Sequence, residues 1–126
     1  MQSPDQIHLV DSELIGIGWK GADLVLDLHA LSYTDLRTDT YATQLIISNA
    51  SIADLLPELP KEIIEVDLNF PSHSSHFHYL TLPFAMVHPC KLVFTLSSGS
   101  TFEAAGDSFA VVVGELISSL PIVFDL

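Results

Sequence analysis

Between His8 and His29 the sequence HLVDSELIGIGWKGADLVLDLH runs through two stretches of alternating apolar and polar residues. A period of two does not suit a helix, whose apolar positions recur every three or four residues. It commits both stretches to extended strands with one buried face each. Ile15, Ile17 and Trp19 share a face of the first strand, and Leu24, Leu26 and Leu28 share a face of the second. Glu13, Asp23 and Asp27 take the opposite side, and Gly21 supplies the turn. An isolated hairpin is marginal in water, so the remaining chain is expected to lay further strands beside this one.

Several later segments have the same character. Tyr41 to Asn49 reads as a third strand, with Tyr41, Thr43, Leu45 and Ile47 alternating against Ala42, Gln44, Ile46 and Ser48. Aliphatic residues on both of its faces point to a central or interface position. The polar stretch SYTDLRTDT before it favours a loop. Ser51 is placed to cap a helical turn through Ile52, Leu55 and Leu56, which Pro57 and Pro60 keep short. Ile64 to Phe70 alternates cleanly and Pro71 ends it, while His76 to Leu82 and Lys91 to Leu96 read as further strands.

At Ser97-Ser98-Gly99 a three-residue loop with a left-handed glycine sets Phe94 opposite Phe102 and Leu92 opposite Ala104. A two-residue loop would set Phe94 opposite Glu103, so the longer loop is expected. Three consecutive valines favour strand over Phe109 to Val113, although Phe109, Val112, Val113, Leu116, Ile117 and Leu120 also have helical spacing. Ile122 to Phe124 could add an edge strand. Short strands with no strand–helix alternation predict a mainly β fold in one domain spanning 1–126: an antiparallel β-sandwich or partly closed β-barrel with one or two short helical turns.

Charge narrows the function classes. Sixteen acidic residues against four basic ones leave a formal charge of −12, which repels a phosphate backbone, so no nucleic-acid partner is expected. The longest apolar run, Phe109 to Val113, is about five residues where a membrane-spanning helix needs about 20. MQSPDQ carries neither a basic segment nor an apolar core, and Cys90 is the single cysteine. Both features predict a cytoplasmic protein without a secretory signal or intramolecular disulfide. A hydrophobic fraction of 48% beside so many acids predicts apolar surface at a homodimer interface.

Candidate sites are few. Gly16 to Gly21, GIGWKG, matches the G-x-G-x-x-G pattern, but a strand follows it where dinucleotide binding needs a helix. Gly106-Asp107-Ser108 resembles the start of a GDS lipase motif in the wrong fold and position, and Cys90 beside His88 is too close in sequence to form an oriented nucleophile pair. No set of residues converges as acid, base and nucleophile, so no enzyme is expected. His73, His76 and His78 offer imidazoles for Zn, Fe or Ni, with Asp67 or Glu65 on the preceding strand as a carboxylate ligand. The alternative is no cofactor and a solvated histidine cluster. Asp23, Asp27, Asp35 and Asp39 gather negative charge near one hairpin end, offset only by Lys20 and Arg37, and form the candidate docking surface for a basic protein partner.

The residues His8, Asp11, Ser12, Glu13, Leu14, Ile17 and Trp19, followed by Asp23, Leu24, Leu26 and Leu28, form the pattern H-x-x-D-S-E-L-x-x-I-x-W, a turn, and D-L-x-L-x-L. This resembles the opening hairpin of small bacterial cytosolic β-domains grouped with the immunity proteins of polymorphic toxin systems. Phe94 to Ala104 resembles their strand-turn-strand close. The resemblance covers about a quarter of the chain, and it implies a non-enzymatic binding or immunity-type domain. A small-molecule or metal-binding β-barrel built on the histidine cluster is the other expectation.

Overall fold

The computed structural model describes residues 4–33, 36–52, 56–69, 74–76 and 78–121. Eleven strands occupy most of them: β1 (Gln6–Lys20), β2 (Asp23–Tyr33), β3 (Arg37–Ser48), β4 (Ser51–Ile52), β5 (Lys61–Asn69), β6 (Ser74–His76), β7 (Tyr79–Thr81), β8 (Ala85–Met86), β9 (Cys90–Leu96), β10 (Thr101–Gly106) and β11 (Ser108–Pro121). Neighbours pair antiparallel in the order β4-β10-β9-β5-β1-β2-β3-β11-β8, with β6 added to β5 and β7 to β1. The path is open at β4 and β8, so this large sheet is not closed into a barrel. Its two halves share one core: Leu24, Leu26, Leu28, Leu45, Ile47 and Phe109 belong to the same buried cluster as Ile63, Val66, Leu68, Leu92, Phe94 and Phe102.

The opening hairpin forms, with Trp19 opposite Leu24 and Ile17 opposite Leu26. Its apolar face is corrected at one residue. The register steps from Leu14–Leu28 to Gly16–Asp27, so Ile15 is an extra residue in a β-bulge. Leu14 therefore takes the core position expected of Ile15 and is fully buried. Trp19 lies next to the turn and is half exposed. Strand β5 repeats the event: Ile63 pairs with Leu96 and Glu65 with Thr95, which leaves Ile64 as the extra, exposed residue.

A wider bulge interrupts β1 further back, where His8 pairs with Leu31 and Glu13 with His29. Asp11 adopts a left-handed φ of 74° there. Ser12 is buried beneath it, and its hydroxyl donates to the His8 carbonyl and accepts the Leu31 N–H at 3.1 Å. The bulge also divides the partners of β1. Gln6–His8 pair with β7, and Glu13–Leu14 pair with β5.

Other expectations are settled by long-range pairing. No helix occurs among the described residues: Ser51–Ile52, expected to start a helical turn, pair with Ala104 and Ala105 instead, and Leu55 lies outside the described residues. The helical alternative for 109–120 is likewise removed, because β11 pairs with β3 as far as Pro121. The edge strand expected over 122–124 lies outside the described residues. The stretch expected as a loop before Tyr41 is mostly strand, since the β2–β3 ladder continues to Tyr33–Thr38 and threonine suits a pleated surface. The expected strand His76 to Leu82 is instead two pieces on different partners, β6 against β5 and β7 against β1. The three-residue loop is as expected: Gly99 has φ 87°, and Phe94 pairs with Phe102 and Leu92 with Ala104. No helix is long and apolar enough to cross a membrane among the described residues.

Candidate functional site

Because side chains alternate along a strand, burying Leu24, Leu26, Leu28, Ala30 and Ser32 of β2 turns Asp23, Val25, Asp27, His29, Leu31 and Tyr33 to the outer face. Strands β7, β1, β3 and β11 extend this face on either side of β2. Its middle holds an open groove of about 510 Å³ lined by Ile15, Asp27, His29, Gln44, Val112 and Glu115, among others. Two bulges frame the groove. The one in β1 turns Ile15 into it, and one between Val113 and Leu116 of β11 carries Gly114 and Glu115. Gly114 is required at that point, since a Cβ there would lie 2.9 Å from the Ala42 carbonyl oxygen. Within the groove Gln44 Nε2 donates to Asp27 Oδ1 at 3.1 Å, and just beside it His29 Nδ1 stands 3.8 Å from Glu13 Oε1.

The same face ends in an aromatic corner. His8 is directly opposite Tyr79 on β7 and Leu31 on β2, and Tyr33 is the next outward residue after Leu31. The His8 ring meets Tyr33 edge to face at 4.6 Å and Tyr79 at 5.6 Å with a 41° tilt. Both tyrosines stay partly open to solvent, at 40% and 51% exposure. Burial pushes the His8 imidazole below its ordinary value. The Asp11 carboxylate pulls it back up, and His78 adds to the lowering. The Tyr33 phenol is pushed up by burial and then by the negative charges of Asp11 and Glu62, so both carboxylates act on this corner. The His78 carbonyl accepts the Leu9 N–H at 2.8 Å and the Val10 N–H at 3.3 Å, tying the bulge to β7.

The acidic residues singled out in the sequence do not gather at one hairpin end. Asp23 sits beside the β1–β2 turn, where its Oδ1 accepts the Asn49 N–H at 3.3 Å, and Asp27 lies in the groove. Asp39 pairs with Ser32, roughly 30 Å of strand away from Asp23. Asp39 is in phase with the core-facing residues of β3, only 17% exposed, and bonded to the Ser119 hydroxyl with Arg37 Nε at 3.9 Å. Asp35 lies outside the described residues. The structure therefore brings Asp27 together with Glu13 and Glu115 rather than with Asp39. The count of acids was visible in the sequence, but the bulges that choose which ones converge were not.

Of the histidine cluster, His73 lies outside the described residues, His76 is on β6 with Asp67 as its backbone partner, and His78 is exposed just before β7. His76 and His78 therefore do not belong to one strand. Among the described residues no group of three or more His, Cys, Asp or Glu side chains is arranged to hold a metal ion.

A second crevice, of about 520 Å³, opens where β3 leaves for β4, with Asn49, Asn69, Cys90, Lys91 and Asp107 in its lining. Asn49 Nδ2 donates to Asp107 Oδ2 at 2.9 Å, and burial pushes the Cys90 thiol up, which keeps it a poor nucleophile. The glycine string Gly16 to Gly21 runs along β1 into a turn and precedes another strand, so it offers no helix N-terminus to a phosphate. His8, Tyr33 and Tyr79 were not legible as a unit, although Tyr33 continues the outward phase of β2. Comparison with protein-family models, curated proteins and solved structures found no match to this chain.

Proposed function

We propose that this chain is a non-enzymatic cytosolic binding domain of the immunity-protein type, which docks a basic protein partner on the outer face of β7, β1, β2, β3 and β11. One observation carries the reading: the groove across that face combines aliphatic Ile15 and Val112 with the carboxylates of Asp27 and Glu115. Register places Asp23 and Glu13 on the same side, and Lys20 is the only Lys or Arg turned that way among the described residues of those strands. An apolar floor with uncompensated acids at its rim suits a cationic protein surface, in keeping with the −12 charge of the whole chain. Exposed Ile117 and Leu120 on β11, beyond the groove, are the natural contact for a homodimer. A lone buried cysteine fits a reducing compartment.

Photo-crosslinkers at Gln44 and at Ile64 test the reading, since Gln44 faces the groove and Ile64 is exposed on the other half of the sheet. A basic protein should be captured from Gln44 and not from Ile64. With that protein in hand, Asp23→Asn combined with Asp27→Asn should slow association at low salt, and the difference should shrink as the Debye length falls to about 8 Å at physiological salt. Equal capture from both positions, or an association rate indifferent to the two substitutions, would move the docking surface elsewhere.

A further inference from the structure

The geometry points to the corner formed by His8, Tyr33 and Tyr79, with the Asp11 and Glu62 carboxylates beside it, as a receptor for one arginine side chain of a protein partner. The inference rests on the docking face proposed above and names its anchor. Three observations carry it. Tyr33 and Tyr79 are 40% and 51% exposed around the half-buried His8, so both residues remain accessible to a ligand. Asp11 and Glu62 both place negative charge on Tyr33, and among the described residues neither has a Lys or Arg in ion-pair contact. Asp11 is exposed on the same bulge that buries Ser12, and its left-handed φ sets the direction in which its side chain leaves the backbone.

A guanidinium answers this chemistry better than an ammonium. It is planar, stacks on aromatic faces, is weakly hydrated, and presents paired donors to a carboxylate. His8 gives the corner a pH dependence. A neutral imidazole leaves the two carboxylates uncompensated, whereas a proton on His8 adds positive charge where the ligand's charge must sit. The groups facing His8 are Asp11 from the bulge, Tyr33 from β2, and His78 and Tyr79 from β7 and the residue before it, with Glu62 of β5 acting on Tyr33. Binding should therefore weaken as pH falls below the ordinary histidine value of about 6.5.

The test uses N-acetyl-arginine amide and N-acetyl-lysine amide as probes, read by NMR shifts of the His8, Tyr33 and Tyr79 rings. The arginine probe should move all three in one saturable isotherm, and the lysine probe should bind about threefold to tenfold more weakly. Tyr79→Ala and Asp11→Asn should each weaken the arginine probe by a similar factor. Tyr79 is half exposed and asparagine tolerates a left-handed φ, so both variants should keep the thermal midpoint of the parent. His8→Gln should remove most of the loss of affinity seen as pH falls below about 6.5.

Ring signals unmoved by the arginine probe, an isotherm unaffected by both substitutions, or equal affinity for lysine would overturn the assignment. The docking face stands or falls separately. If Asp23 and Asp27 steer a basic partner while the corner ignores arginine, only the corner is refuted. If the corner binds arginine while steering is absent, the groove reading fails.

Discussion

Replacing Ser12 by alanine isolates the link between the fold and the aromatic corner. The Ser12 side chain is 1% exposed, and its hydroxyl takes the Leu31 N–H at 3.1 Å while donating to the His8 carbonyl. In the alanine variant the Leu31 N–H loses the Ser12 oxygen, at the point where the bulge interrupts the β1–β2 ladder beyond the His8–Leu31 pair. A buried donor left without an acceptor costs about 1–3 kcal/mol. The missing oxygen leaves a void smaller than a methyl group and adds little to that. A net loss of roughly 2 kcal/mol follows, with about 1–2 M off the urea midpoint if the slope is between 1 and 2 kcal/mol/M.

Equilibrium urea unfolding followed by tryptophan fluorescence measures this, since Trp19 is the single tryptophan and lies at the tip of the same hairpin. The slope should stay constant, because the variant exposes no new surface. Amide hydrogen exchange supplies the local readout: the Leu31 amide should lose protection by more than the global change accounts for, while Leu24 and Leu26, far along β2, should follow the global change. A midpoint shift equivalent to less than about 0.5 kcal/mol, together with undiminished Leu31 protection, would show that the hydroxyl does not hold the bulge. The account of how Asp11 is positioned would fail with it.

The remaining predictions concern the core and the thiol. Phe102 is fully buried and paired with Phe94 at 6.3 Å between ring centroids, so Phe102→Ala should lower stability by about 3–5 kcal/mol in the same urea assay, and a loss under about 1.5 kcal/mol would mean that this half of the core can collapse into the void. Burial holds the Cys90 thiol above its ordinary value, so at neutral pH it should react with iodoacetamide far more slowly in the folded protein than in urea. The rate should rise with pH as the thiolate forms. Equal rates folded and unfolded would contradict the burial of that side chain.

Where the sequence was readable, a turn residue fixed the count of residues between two strands. Gly99 needs a left-handed φ, the three-residue loop follows, and the Phe94–Phe102 pair follows from the loop. Where it is not readable, strict alternation of one residue against one breaks down. Leu14-Ile15 and Ile63-Ile64 each set two aliphatic residues side by side, and period two cannot say which member faces the core. A bulge resolves each pair by expelling the second residue, and that choice depends on the neighbouring strand. The helical turn expected after Ser51 failed in the same way. The capping signal was local, but the open edge of β10 satisfied the Ser51–Ile52 backbone instead.

The candidate site inherits this division. Its acids were countable, yet the aromatic corner needs Tyr79 beside His8, a contact spanning more than half the chain that no local pattern specifies. The bulge at Asp11 makes the contact possible. A straight β1 would present one continuous edge to a single neighbour. By breaking the ladder between His8 and Glu13, the bulge lets the first part of β1 pair with β7 and the later part with β5. Tyr79 thereby reaches His8 on the side opposite Tyr33, and β5 brings Glu62 opposite Glu13. The left-handed Asp11 and the buried Ser12 are thus one device, which joins the two halves of the sheet and, in doing so, assembles two phenols, an imidazole and two carboxylates that are distant in sequence.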